Sequence, residues 1–412
     1  MSKRILSISR APGQLASARA AGFNRVELFT KGISSENMEA KIAEAQRLLK
    51  EHSLSVGSVV IPKSSTLADF KENARLTIAF ASGVGAKIVV ADYPAFRGGE
   101  YRKKEREGAD IVSPAALGNV RGLLKSVPHP FEVAEALSEL KKDAASSKVK
   151  ILIESTGGSA LLYKPLGFKA FERVARASHG LVLDLEHVAQ AMIAQPVEEV
   201  YNPATRFLSN RGSEEDAVLV RSFYQDYGNH MDARSKRAFQ DFLEAHGKPG
   251  EEARFRSACT RLLALTKPGL RGFGKEGATP KDLQVKPSKW VYGLFVKAWG
   301  SLPIKHVHLT GGHLGERLAP SETVRTSFGT SDLAFEHAYE IETPRGEPII
   351  LGSKPGQSLY EYLHAKMGGR LYANKPWHEF ARDLLDGRKA TVNFEIEPKL
   401  VRPADLKNAR NL

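Results

Sequence analysis

Cysteine is almost missing. Cys259 is the only one in 412 residues, which excludes an intrachain disulfide and a thiolate-built metal site and fits a reducing compartment. Long apolar runs are missing too: none approaches the roughly 20 residues that a membrane helix requires. The N-terminal Ile5-Leu6-Ser7-Ile8-Ser9, although it follows Lys3 and Arg4, is too short and too interrupted for a signal-peptide core. The expectation is a cytoplasmic protein with no membrane partner. Several catalytic signatures are also absent. No Gly-x-Ser-x-Gly elbow occurs, and Gly311-Gly312-His313-Leu314-Gly315 lacks the spacing and the Lys-Ser/Thr ending of a phosphate-binding loop. There is no convincing internal repeat beyond a strand-helix rhythm, and no low-complexity tail.

What is present is ordinary for a globular enzyme with a sizeable core: 42% hydrophobic and 26% charged residues. The 60 Lys and Arg against 47 Asp and Glu give a formal charge of +13, which admits an anionic partner such as nucleic acid or a phosphorylated substrate. The basic clusters, Arg102-Lys103-Lys104 and Arg234-Ser235-Lys236-Arg237, are scattered and do not form one stripe interleaved with aromatics. That distribution favours a solvated surface over a nucleic-acid groove.

Continuous apolar strands alternate with amphipathic helices along the chain. The pattern predicts strands over 5–9, 25–29, 54–61, 87–91, 149–153, 181–183, 304–309 and 391–394. Helices are predicted over 12–21, 36–52, 67–82, 131–144, 169–177 and 377–385. Strands with no polar alternation belong to a parallel sheet covered by helices. Eight in this rhythm favour a closed α/β barrel, (β/α)8, with the whole chain 1–412 as a single barrel. Three intervals are too long for simple crossovers: 95–130 after strand four, a mostly helical 195–303 after strand six, and a loop-rich 311–376 after strand seven. Following strands as they do, they are expected to rise over the barrel mouth as lid or substrate-selecting elements.

Four apolar runs end in a group able to hold a metal. Glu154 follows Val149-Lys150-Ile151-Leu152-Ile153, Asp184 follows Leu181-Val182-Leu183, His308 lies in Ile304-Lys305-His306-Val307-His308-Leu309, and Glu395 follows Thr391-Val392-Asn393-Phe394. A barrel brings the C-terminal ends of its strands to one mouth, so these distant residues can converge on one divalent cation. Three carboxylates and one imidazole suit Mn2+ best, with Mg2+, Co2+ and Zn2+ also compatible. Taken singly, each has an alternative reading as a buried acid or histidine satisfied by its neighbours.

His187, three residues after Asp184, falls at the start of the next element, where it could contact substrate, ligate or face solvent. His306 shares a strand face with His308 and is expected deeper in the barrel. Glu27, an acid inside the apolar strand Val26-Glu27-Leu28-Phe29, is costly to bury unless paired or catalytic; it is assigned either to substrate contact or to an ion pair. Lys63, Asp92, His313 and Arg317 are weaker candidates that would face the mouth. Glu397 is placed behind Glu395 by parity.

These residues resemble the xylose isomerase-like TIM-barrel superfamily, which includes sugar phosphate isomerases and epimerases and the endonuclease IV type of DNA repair enzyme. The most specific pieces are Leu183-Asp184-Leu185-Glu186-His187, His306-Val307-His308-Leu309, Ile153-Glu154 and Asn393-Phe394-Glu395; the resemblance covers the barrel segments and not the long middle insertion. It implies that Glu154 and Glu395 both ligate the metal and move the substrate proton, that Asp184 and His308 complete the metal site, and that His187 contacts substrate. Endonuclease IV-like members need further histidines after strands three and four. Here Ile61-Pro62-Lys63-Ser64 and Asp92-Tyr93-Pro94 contain none, which counts against a multi-zinc phosphodiesterase.

The resulting expectation is a single-metal isomerase or epimerase. It would act on a sugar or other polyhydroxy carbonyl compound, anionic or neutral, by proton transfer through an enediolate, with Glu27, Lys63, His187, His313 and Arg317 around the substrate. A metal-dependent lyase or dehydratase on a related substrate and a nucleic-acid phosphodiesterase are the alternatives. The sequence allows a homo-oligomer without specifying one.

Overall fold

Runs such as Val149-Lys150-Ile151-Leu152-Ile153 are buried on both faces only in a sheet that is itself covered, and here that sheet closes on itself. The computed structural model describes residues 6–10, 14–30, 32–62, 64, 66–94, 128–154, 167–271, 284–310, 339–341, 349–351, 377–395, 401 and 403–412. The barrel strands are β1 (Leu6–Arg10), β2 (Arg25–Phe29), β3 (Ser55–Val60), β4 (Ile88–Ala91), β5 (Lys150–Glu154), β6 (Leu181–Asp184), β7 (Ile304–Thr310) and β8 (Thr391–Glu395). Each lies parallel to its neighbour in chain order, and β8 pairs with β1 to complete the closed barrel. The eight expected strands are all present, with ends that differ by a residue or two.

The helices are α1 (Leu15–Ala20), α2 (Met38–Glu51), α3 (Leu67–Gly83), α4 (Pro130–Ser146), α5 (Phe168–Ala177), α6 (Leu185–Pro196), α7 (Asn202–Leu208), α8 (Glu214–Tyr227), α9 (Ala233–Ala245), α10 (Glu252–Thr266), α11 (Lys289–Gly300), α12 (Trp377–Leu385) and α13 (Pro403–Arg410). Local chemistry sets several of their starts. Helix α4 begins at Pro130, whose missing N–H is harmless in the first turn, while the backbone N–H of His129 donates to Glu132 Oε2 at 2.9 Å. Thr66 caps α3 by accepting from the backbone N–H of Asp69 at 3.0 Å. Among the described residues no helix is long and apolar enough to cross a membrane.

Strand residues facing outward pack beneath the helices in one continuous apolar core. The inward face is divided. Val60, Val90, Leu152 and Val182 fill it from β3 to β6 with aliphatic side chains. From β7 round through β8 to β2 and β3, the inward positions are instead His306, His308, Asn393, Glu27 and Ser58, all buried. Barrel interiors are normally filled with branched aliphatics, so this polar half departs from the usual filling.

The interval after β6 runs through helices from α6, by a π-turn at Val197–Tyr201, to α10. It then forms a two-stranded antiparallel ribbon, Gly269–Arg271 with Gln284–Lys286, and returns through α11 to β7. An aromatic seam joins it to the barrel wall. Phe168 on α5 lies 5.4 Å from Tyr227 on α8 and 5.6 Å from Trp299 on α11. Phe171 lies 5.7 Å from Trp299, and Tyr227 4.8 Å from Phe295. Asp226 adds a polar tie: its carboxylate accepts from the backbone N–H of Phe168 at 3.1 Å and of Lys169 at 3.4 Å, capping α5. Position 167 must be glycine for this, because a Cβ there would lie 1.7 Å from Asp226 Oδ2. In the interval after β7, Tyr339–Ile341 and Ile349–Leu351 pair antiparallel. The rest of that interval, and 95–127, lie outside the described residues.

Gly180 ends the turn into β6 with φ +143, and an added Cβ would lie 2.5 Å from Pro303 O and 2.9 Å from Lys305 Cγ. The two strands meet there through the N–H of Leu181 and Pro303 O at 3.0 Å. Gly180→Ala is therefore expected to destabilise the protein by roughly 2–4 kcal/mol; a denaturation midpoint equal to that of the wild type would disprove the constraint. Burial pushes the Asp226 carboxyl up to about 6 from 3.8, against the pull of the α5 backbone N–H groups. A carboxyl held protonated in the folded state stabilises fully below its unfolded value, and that contribution drains away as pH rises through about 4 to 6. The loss amounts to as much as ~3 kcal/mol. In Asp226→Asn this descending limb of the stability–pH curve is expected to flatten, as urea titrations at pH steps across the window can check.

Candidate metal centre

The ladder registers assemble the site. Asp184 on β6 pairs across from His308 on β7, and Asn393 on β8 pairs with His308 from the other side. Glu154 ends β5, and Glu395 ends β8 two residues past Asn393, hence on the same face. Glu154, Asp184, His308 and Glu395 each offer a ligand atom, and these atoms all lie within 4.8 Å of one another. His308 Nδ1 is 2.9 Å from Glu154 Oε1 and 3.1 Å from Glu395 Oε1. Two ligands at about 2.1 Å on adjacent octahedral positions stand about 3 Å apart, so these spacings suit a six-coordinate divalent ion.

The electrostatics also fit a cation. Burial pushes Glu154 up to about 7, with the charges of Asp92 and Asp184 adding to the rise against the pull of His308. Burial likewise drives Glu395 well above the ordinary carboxylate range, with Glu154, Glu27 and Asp184 raising it further against His308. For His308 burial opposes the charge, but Glu395, Glu154 and Glu27 prevail and raise it well above the usual imidazole value. Acids this crowded repel one another, and a divalent ion would replace the single imidazolium that now balances them.

Glu27 lies deeper. It is completely buried, and its carboxylate accepts from Ser58 Oγ at 2.6 Å and from Asn393 Nδ2 at 2.8 Å. His308 Nε2 approaches its Oε2 at 3.3 Å and His306 Nε2 at 3.5 Å. Burial opposes ionisation of Glu27, yet the two imidazoles, His308 foremost, hold its carboxyl below the ordinary range. His306 Nδ1 pairs with Thr391 Oγ1, and burial holds its ring below the usual imidazole value against the pull of Glu27. Glu27, His306 and His308 form a second close set, with His308 common to both.

The structure thus brings together Glu154, Asp184, His308 and Glu395, with Glu27 and His306 immediately beneath. His187 lies in the first turn of α6, after Asp184, and its side chain is outside the described residues. Lys63, His313, Arg317 and Glu397 also lie outside them. Sequence reasoning did not single out Ser58, Thr391 or Asn393. The only signal was parity, since each shares its strand face with another inward residue: Val60, Asn393 and Glu395 respectively. Phe29 was likewise passed over; it stands two residues beyond Glu27 on the same face of β2 and is 42% exposed.

No family model matches the sequence, and no curated protein matches it. Solved structures similar to the chain include a xylose isomerase-like TIM barrel protein from Mycobacterium smegmatis in complex with magnesium, at 12% identity over 97% of this chain and 88% of that one, TM-score 0.41. A D-allulose 3-epimerase from Methylomonas sp. is 15% identical over 47% of this chain and 70% of that one, TM-score 0.31. A family 2 AP endonuclease from Brucella melitensis is 15% identical over 45% of this chain and 70% of that one, TM-score 0.29. The closed barrel itself rests on this chain's own strand pairing.

Proposed function

We propose that this chain is a divalent-metal-dependent isomerase or epimerase of a sugar or other polyhydroxy carbonyl compound. One observation carries the reading: three carboxylates and an imidazole from four different strands place their ligand atoms within 4.8 Å of one another. Glu154, Asp184, His308 and Glu395 would hold the ion, with Mn2+ the best match to the donor set and Mg2+, Co2+ or Zn2+ compatible. When bound, the ion supplies Lewis-acid polarisation of the substrate carbonyl and its neighbouring hydroxyl.

The residues of the chain would do the rest. Glu154, a carboxylate at the end of β5 beside His308, is suited to take the proton from the carbon between carbonyl and hydroxyl. Glu395, at the end of β8 and also beside His308 Nδ1, is suited to return it. Asp184 and His308 would help to hold the ion. His187, Lys63, His313 and Arg317 are proposed around the substrate, with the intervals 195–303 and 311–376 over the mouth. The single-barrel organisation and a cytoplasmic setting belong to the same proposal.

The same set of groups would serve a lyase that expels a leaving group from the same carbanion, so the test must follow the proton. Solvent deuterium is expected to enter candidate ketoses only when Mn2+ is supplied. Glu154→Gln and Glu395→Gln are each expected to lower that exchange by about 10²–10⁴-fold. Exchange at the wild-type rate in either variant would remove that residue from the proposed proton path. The number of ions per chain separates the phosphodiesterase reading: one is expected here, two or three for a nuclease.

A further inference from the structure

An acid in the middle of a barrel is expensive to bury unless its neighbours satisfy it, and Glu27 is 0% exposed. Its surroundings are built for a carboxylate. Ser58 Oγ donates to Oε2 and the Asn393 amide to Oε1, from β3 and β8 on either side of the barrel closure. His308 Nε2 also approaches Oε2 at 3.3 Å, with His306 Nε2 at 3.5 Å beside it. His308 therefore has a carboxylate facing each of its ring nitrogens: Glu154 and Glu395 at Nδ1, Glu27 at Nε2.

A neutral imidazole carries one proton, and it cannot ligate through a protonated nitrogen. With Glu27 in place, the favoured position for the proton is Nε2, where a fully buried acceptor waits, and this leaves the Nδ1 lone pair directed at the quartet. Resting on the metal-site reading above, we infer that Glu27 is a positioning residue: its carboxylate accepts the Nε2–H of His308 and thereby presents Nδ1 to the divalent cation. His306 supports the arrangement from below, its own Nδ1 tied to Thr391. A glutamine at position 27 would have nearly the same shape but could turn an N–H toward His308 and would lose the charge that makes the ring a stronger donor to the ion. An alternative occupant of this region, a second cation held by Glu27, His306 and His308, would require His308 to give up both protons and bridge two ions.

Calorimetric titration with Mn2+ alone, on chelator-stripped protein, tests the inference. Wild type is expected to bind one ion per chain. Glu27→Gln is expected to bind one ion with about 10–100-fold weaker affinity, and its melting temperature is expected to rise less on Mn2+ addition than that of the wild type. A merely structural role for Glu27 would lower the melting temperature of the stripped protein and leave the Mn2+ affinity unchanged, which would overturn the inference. Two ions per chain, with one lost in Glu27→Gln, would overturn it as well, because Glu27 would then be a ligand. No Mn2+ binding by the wild type would overturn the metal-site reading itself, and this inference with it. Should Glu27→Gln fail to fold, wild type labelled with 15N-histidine and loaded with Zn2+ as a diamagnetic probe decides the matter. One imidazole is expected with a metal-bound Nδ1 and a protonated, slowly exchanging Nε2, and the opposite tautomer would overturn the assignment.

Discussion

The imidazole of His308 is the point on which the interior balances. Glu154 and Glu395 approach one nitrogen and Glu27 the other, all within 3.3 Å. Without a cation at that ring, the buried carboxylates would face one another with nothing between them, and their charges could not be sustained at low dielectric. The same ring joins two parts of the barrel: its Nδ1 faces the acids that end β5 and β8, and its Nε2 faces Glu27 in the packed interior.

This explains why the barrel interior is split. The aliphatic half, Val60, Val90, Leu152 and Val182, makes no demands beyond volume. The polar half draws its partners from adjacent strands: Glu27 beside Ser58 on β3, and His308 beside Asp184 and Asn393 on β6 and β8. Parallel ladders fix those neighbours in register, so the network is held by backbone geometry as much as by its own hydrogen bonds. A partly satisfied polar core is costly, and the network extends beyond the four proposed ligands to His306, whose Nδ1 pairs with Thr391.

The long interval after β6 is joined to the barrel wall through shared apolar contact. Phe168, Phe171, Tyr227, Phe295 and Trp299 run from α5 into α8 and α11, and Asp226 closes the start of α5. Since α5 follows the strand that carries Glu154, and α6 begins directly after Asp184, this interval packs against elements that deliver two of the four proposed ligands. Changes in its packing can therefore reach the site through rigid elements.

Much of this was legible in the amino-acid order. The eight strands, their parallel arrangement and the four groups at their ends follow from local signals: continuous apolar runs, helical spacing between them, and a polar residue where each run stops. Parity along β7 placed His306 behind His308 for the same local reason. The surroundings of Glu27 were not legible, because Ser58, His308 and Asn393 lie 31, 281 and 366 positions away and only strand register brings them to it. The aromatic seam was hidden likewise, since any of its rings reads as ordinary core until the helices are placed. The sequence by itself determined which residues could bear charge at the mouth of a barrel. Only the tertiary structure decided which of them face one another, because that depends on distances of a few ångströms between strands that the chain order leaves far apart.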